Sequence, residues 1–268
     1  MHRRSVIRKQ KAQSAPNRRH ANSLLTALPH AEYQRLLAAG LEPVTLKFGE
    51  VLHEPGVPIR YVYFPIDSVV SLLMTVTGHH ALKVGLVGYE GIVGIPLALG
   101  IHTSYRRASV QRAGTAMRME SALFRKEILH GKALQQILFR FKHALVGQIA
   151  QTAVCKQFHS VQARVVSYLL MTRDRARSNE FRLTQAFLAG MLGVRRSSVT
   201  LAASILQKRA LIKQSRGEIT ILDRKGLSAA SCECYRIIKR IYASVHTDGQ
   251  VGATTRRRRP RHADRAIE

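Results

Sequence analysis

The sequence predicts an α+β chain in which an all-β unit comes first, a long helix follows, and a small helical unit with a β wing comes after it. Three observations predict this order. Short β-rich runs between Leu41 and Met119 are punctuated by Gly49, Pro55, Gly56, Pro58, Pro65, Gly78 and Gly114. From Lys126 to Phe158 the chain has no proline and follows a helical period. Between Leu183 and Leu206 the pattern is that of two short helices around a glycine turn.

Ahead of the β unit, Ser23 to Ala39 places Leu24, Leu25, Leu28, Tyr33, Leu36 and Leu37 at the spacing of a helical entry interrupted by proline. The strands are read at Val44 to Phe48, Tyr61 to Phe64 and Val69 to Val76. In the long segment Leu134, Leu138, Phe141, Leu145, Gln148 and Thr152 alternate by four and three, which makes a seam. Thirty such residues span about 45 Å at about 1.5 Å each, more than one small β unit needs. The seam either pairs with a second copy, making a homodimer, or packs on its own domain. Two of its positions are polar.

Ser160 starts a further helix ending near Arg173, and Thr172 to Arg182 reads as a loop. In the stretch that follows, Thr184 suits an N-cap, and Leu188 and Leu192 share one face. Gly193 can take the positive φ that ends the first helix. Val199, Ala202, Ala203 and Leu206 give the second helix an inner face. Its opposite face begins with Arg195, Arg196, Ser197, Ser198 and Thr200, the donor set of a helix that enters a DNA groove. Arg196 is the expected base reader, since a guanidinium fork can address guanine O6 and N7 together. Gln185 belongs to the same DNA-binding set. Beyond it, two β pieces around Arg216 and Gly217 read as a wing whose Lys213, Ser215 and Arg216 meet phosphates.

The charge points to the same partner. The 268 residues hold 43 Lys and Arg against 16 Asp and Glu, a formal +27. Residues 1–20 carry seven of those cations and no acid, and residues 251–268 carry six arginines against Asp264 and Glu268, a net +4, with Arg256 to Arg259 in a run. The tails thus hold 11 of the 27, so the folded body is basic as well. Between Ser160 and Gly226 thirteen cations face four acids. The run of arginines is either a phosphate-binding arm or a solvated tail.

No segment predicts a membrane span, because the apolar stretch Val84 to Ile101 contains Glu90, Pro96 and five glycines. Three cysteines cannot build a disulfide framework, and a cytoplasmic address is the expectation, with a mitochondrial-type presequence as the alternative. Cys232 and Cys234 flank Glu233 and are read as ordinary thiols; no metal site is expected. Four thiolates for an iron–sulfur cluster are lacking. His79 and His80 are read as solvated residues of a hairpin tip. Without a P-loop, a G-x-S-x-G elbow or an H-E-x-x-H pair, no enzyme is predicted.

From Leu28 to Leu227 the chain resembles the Crp/Fnr family of bacterial transcription regulators. The segment LTQAFLAGMLGVRRSSV is similar to the family's helix-turn-helix, and FGEVLHEPG and GYEGIVGIPLALG resemble the turns and phosphate cassette of its β-roll. The resemblance implies a cyclic-nucleotide-binding-like jelly roll, a long dimerisation helix and a C-terminal winged helix-turn-helix. It divides the chain into a basic tail (1–22), the roll (23–125), the dimer helix (126–158), the DNA-binding domain (159–228), and a C-terminal helix with a basic tail (229–268). It also implies double-stranded operator DNA as partner, a homodimer, and RNA polymerase as a further partner.

By this resemblance Gly94, Ile95, Arg107 and Ala108 occupy the effector site, with Arg107 at the phosphate arginine. Ile95 stands where the family has a carboxylate and Ala108 where it has a serine, so two polar contacts of a cyclic-nucleotide site are missing. The alternatives are a cyclic nucleotide, another ligand, or none. In the helix-turn-helix, Ser197 and Leu201 stand where the family's best-known pattern has an acid and a second arginine. The function expected is a sequence-specific transcription regulator binding a palindromic operator; the alternative is a non-specific protein that coats nucleic acid.

Overall fold

The computed structural model describes residues 21–75 and 81–247. The basic tails and the pair His79 and His80 lie outside them. Helices α1 (Ser23–Thr26) and α2 (His30–Ala38) open the described chain. Asn22 caps α1 by accepting from Leu24 N at 3.0 Å, while its amide donates to the carbonyls of Pro65 at 2.9 Å and Gly91 at 2.8 Å. One buried side chain thereby fastens the entry to the body.

Strands β1 (Glu42–Leu46), β2 (Val51–His53), β3 (Tyr61–Pro65), β4 (Val69–Met74), β5 (Leu82–Val87), β6 (Arg107–Arg112) and β7 (Gly114–Glu120) follow. They form two antiparallel sheets in the orders β1-β7-β3 and β2-β6-β4-β5. Leu46, Phe64 and Met119 of the first meet Leu72, Val87 and Val110 of the second in one core. Strand β4 is buried on both faces. Val70 and Leu72 turn into the roll, whereas Val69 and Leu73 join the core of the C-terminal unit.

The helix expected over 126–158 is two helices, α3 (Ser121–His130) and α4 (Lys132–Phe158). Gly131 breaks them at φ −101°, ψ 90°. Its position is confined: a Cβ there would lie 3.0 Å from Arg35 Nη2 and 3.1 Å from Glu32 Oε2. Glu32 then accepts from the backbone N–H groups of Ala133 and Leu134, supplying the cap that α4 lacks locally.

The seam read from the sequence faces inward. Leu134, Leu138, Phe141 and Leu145 are buried in the roll's core, each gaining about 1.5–3 kcal/mol from burial. The physical reason is that the roll's open side needs an apolar cover, and α4 is that cover. Gln148 is buried too, and Thr152 is partly buried and turns back to the Gln148 carbonyl. The face of α4 left to solvent carries Gln136, Phe139, His143, Val146, Ala150, Ala153 and Gln157, again spaced by three and four.

Helix α5 (Val161–Ala176) extends beyond the end expected near Arg173. Polar Thr172 and Arg175 read as loop but are buried, because each has a partner on the roll side. Gln111 Nε2 donates to Thr172 Oγ1, and Arg175 Nε lies 2.7 Å from Glu90 Oε1. Arg175 also donates to Gln148 Oε1 at 2.6 Å, which accounts for a polar residue in the seam. Likewise β8 (Glu180–Arg182), expected as loop, is a third wing strand.

The C-terminal unit continues with α6 (Gln185–Leu192), α7 (Arg196–Lys208), β9 (Ile212–Ser215), β10 (Glu218–Ile221), α8 (Arg224–Ala229) and α9 (Glu233–Ala243). Its sheet has the order β8-β10-β9. Helix α9 returns to α4, where a Cβ on Gly147 would stand 3.1 Å from Ile241 and Tyr242 tilts against Phe141. The fold is therefore α+β: a β-roll, a long helix and a winged helix-turn-helix, in the predicted order.

Candidate nucleic-acid interface

Thr184 caps α6, its hydroxyl accepting from Phe187 N at 3.1 Å. Leu188 and Leu192 are buried below it. Gly193 takes φ 63°, and its N–H and that of Val194 close the helix on the carbonyls of Gly190 and Ala189. Arg164 of α5 donates to the Leu192 carbonyl, pinning the same turn from beneath. The chain then re-enters a helix at Arg195, whose side chain makes no cap bond and stays free to reach outward.

Helix α7 buries Val199, Ala202, Ala203 and Leu206. That orientation exposes Arg195, Arg196, Ser197 and Thr200, with Ser198 half-buried. The expected residues thus share one surface at the N-terminal end of α7, where the free N–H groups of the helix also favour anions. Gln185 holds the surface together: its Oε1 accepts from Thr200 Oγ1 at 2.6 Å, and its Nε2 donates to Gln214 Oε1 on β9 at 3.1 Å. One side chain joins both helices to the wing.

The wing turn, Arg216 at φ 45° and Gly217 at φ 83°, is a two-residue hairpin of type I′. It presents Lys213, Ser215 and Arg216 to solvent beside α7. A residue outside the expected set lies on the same face: Leu201 is exposed one position beyond Thr200. An apolar side chain there suits a thymine methyl, and the available signal was its place in the family pattern, where a second arginine stands.

The effector site differs from expectation. Gly94, Ile95 and Ala108 do line one cavity, with His53, Ser104 and Arg106. Arg107 is not part of it. Strand parity puts Arg106 on the same side as buried Ala108 and turns Arg107 outward, where its Nε sits 2.9 Å from Glu54 Oε2, both side chains 41% exposed. Burial holds the Arg106 guanidinium below its ordinary range, and lowers His53, which pairs with the Tyr61 carbonyl at 2.9 Å. The cavity measures about 10 Å³, room for roughly one water. With Ile95 buried in its wall, the residues present do not fit a cyclic nucleotide.

The four dimer-helix residues, Leu134, Leu138, Phe141 and Leu145, are brought together, but as core of one chain. The cysteines are the opposite case. Cys232 and Cys234, expected as ordinary thiols, are gathered with Cys155 and His159 so that the four ligand atoms all lie within 4.8 Å of one another. Burial and the neighbouring thiols push the Cys155 thiol up. The sequence signal was Cys155 and His159 four residues apart at the end of a helical segment, plus the C-x-C pair.

Residues 163–230 match the family model of the Crp-like helix-turn-helix domain. This segment is a Crp-like helix-turn-helix domain. Over 70–73% of its length the chain shares the fold of three solved Crp/Fnr-type regulators. FixK2 from Bradyrhizobium japonicum superposes with a TM-score of 0.61 at 13% identity, over 72% of this chain and 98% of its own. A CRP-family transcriptional regulator from Thermus thermophilus gives 0.57 at 18%, over 70% and 96%. The c-di-GMP-responsive global regulator CLP from Xanthomonas campestris gives 0.55 at 16%, over 73% and 100%. No curated protein matches the sequence. The Crp-like domain ends at the same α8 that seals the wing, and α9 lies beyond it. Among the described residues no helix is long and apolar enough to cross a membrane.

Proposed function

We propose that this chain is a sequence-specific DNA-binding transcription regulator that binds a two-fold symmetric operator as a homodimer. One observation carries the reading: α7 of the Crp-like domain buries its apolar face and holds Arg195, Arg196, Ser197 and Thr200 outward, next to a basic wing. Arg196 reads a guanine edge, and Thr200 and Leu201 contact neighbouring bases. Lys213, Ser215, Arg216 and the Thr184 end of α6 position the phosphates.

The dimer forms through the outward face of α4 rather than the seam first read. Phe139 is 50% and Val146 57% exposed there, and His143 and Ala150 complete a heptad spacing that lets identical helices pack knobs into holes. Pairing holds two α7 helices about 34 Å apart, one turn of B-DNA. The roll governs that spacing through shared core: Val69, Leu73 and Leu86 pack in the same cluster as Leu188 and Leu192, and Phe48 meets Phe187 with ring centroids 6.0 Å apart. A signal that moves β4 or β5 therefore reaches α6 directly.

The test is Arg196→Ala, titrated on its selected operator and on random duplex at fixed salt. Loss of about 1–3 kcal/mol on the operator with little change on random DNA supports base reading. Equal losses on both make Arg196 a phosphate clamp and favour non-specific coating.

A further inference from the structure

The fold brings together four potential metal ligands that lie in two separate stretches of sequence. Cys155 sits in the last turn of α4, and His159 is its C-cap residue. Cys232 and Cys234 stand at the start of α9, seventy-odd residues later, Cys155 and Cys232 being 77 apart, and outside the Crp-like domain. Cys155 Sγ and Cys232 Sγ are 3.7 Å apart, and Cys234 Sγ is 3.5 Å from His159 Nδ1. All four ligand atoms fall within 4.8 Å of one another.

We propose that Cys155, His159, Cys232 and Cys234 form a tetrahedral structural zinc site that clasps the end of α4 to α9. A zinc ion bonded to sulfur at about 2.3 Å separates two thiolates by about 3.8 Å. The Cys155 to Cys232 distance matches that edge, whereas a disulfide would need about 2.05 Å. No separation exceeds a tetrahedral edge by more than about 1 Å, a gap that contraction on the ion closes.

The outer contacts are those a zinc site has. His159 presents Nδ1 to the thiols, while its Nε2 lies 3.3 Å from Glu233 Oε1. A carboxylate on the far nitrogen fixes the tautomer that leaves Nδ1 free for metal. Gln151 Nε2 donates to Cys234 Sγ at 3.1 Å, and Ser167 Oγ lies 3.3 Å from Cys232 Sγ. The adjoining cavity is lined by Lys156 and Arg164, a positive surrounding for three thiolates and a divalent ion, which together carry one net negative charge. Three soft ligands and one imidazole select zinc over magnesium, calcium or manganese, and four protein ligands leave no open position for catalysis.

Position gives the site its consequence. His159 ends α4 and Ser160 caps α5, so the ion sits at the joint between the roll's cover and the Crp-like domain. Ser167 extends its reach to α5. Occupancy fixes the angle at which α5 leaves α4 and thus where α7 points.

The test uses the reduced, full-length chain, stripped with chelator and titrated with cobalt(II), then zinc(II). One equivalent of cobalt should give the visible absorption of a tetrahedral thiolate site, discharged by one equivalent of zinc. Zinc-edge absorption should then report three sulfurs at about 2.3 Å and one nitrogen at about 2.0–2.1 Å. Cys232→Ser should abolish the stoichiometric cobalt band. In case that variant misfolds, Glu233→Gln keeps every ligand and should bind zinc about 10–100-fold more weakly with the cobalt spectrum unchanged. The proposal is overturned by a reduced chain that shows no stoichiometric cobalt–thiolate absorption, or by a zinc shell without sulfur. Unchanged zinc affinity in Glu233→Gln would show that Glu233 does not orient His159, and a cobalt spectrum unchanged in His159→Ala would overturn the four-ligand assignment.

Discussion

The buried pair Arg175 and Glu90 allows the sharpest energetic prediction. Arg175 lies on α5 and Glu90 on the loop after β5, with side chains only 7% and 12% exposed and 2.7 Å between Nε and Oε1. Glu90→Ala leaves a guanidinium in the interior with Gln148 Oε1 as an uncharged partner at 2.6 Å. Removing one member of a buried pair costs about 3–5 kcal/mol, and the retained hydrogen bond places this case near the lower end, about 3 kcal/mol. Glu90→Ala with Arg175→Met removes both charges and should recover most of that loss, since an apolar pair of similar volume needs no desolvation. Urea unfolding followed by circular dichroism on the single and double variants measures the difference. A loss below about 1 kcal/mol for Glu90→Ala, the value of an exposed pair, would refute the claim that these charges bind the domains from within.

Other consequences are equally direct. Phe139→Glu with Val146→Glu should turn the dimer into monomer in sedimentation while far-UV circular dichroism stays that of the folded chain, because both residues are solvent-exposed in one protomer; Leu138→Ala, on the buried face, should instead cost about 2–5 kcal/mol. His53 is held below its ordinary 6.5 by burial, so below pH 6.5 the unfolded chain takes up a proton that the folded chain refuses, and stability falls as pH drops through that window. His53→Gln should flatten this decline by up to about 1.4 kcal/mol per pH unit in urea titrations; the comparison with wild type is needed because burial and Arg140 shift His246 the same way. A decline identical in both proteins would show that His53 does not contribute.

What the sequence made legible was local. The helix-turn-helix could be read because its cap, its glycine and its buried positions all lie between Thr184 and Leu206, and each does one physical task. The wing turn was legible for the same reason. Long-range choices were not. Helix α4 carries two stripes with the same alternation of four and three, one through Leu134, Leu138, Phe141 and Leu145 and one through Phe139, His143, Val146 and Ala150. The more apolar stripe drew the dimer reading, but the roll claims it, and nothing local says which surface arrives first. Arg106 and Arg107 pose the same problem in a strand, where a one-residue ambiguity reverses inside and outside. Thr172 and Arg175 looked like loop because their partners, Gln111 and Glu90, are distant in sequence. The cysteines required the return of α9 onto α4, a contact no spacing rule foresees.

The most direct measurement is selection of bound duplexes from a random pool by the full-length protein. The account predicts enrichment of a two-fold symmetric motif with half-sites one helical turn apart, about 10–10.5 base pairs centre to centre, and a guanine in each half whose preference disappears in Arg196→Ala. A pool that emerges without a shared motif, bound equally well by wild type and Arg196→Ala, would contradict it.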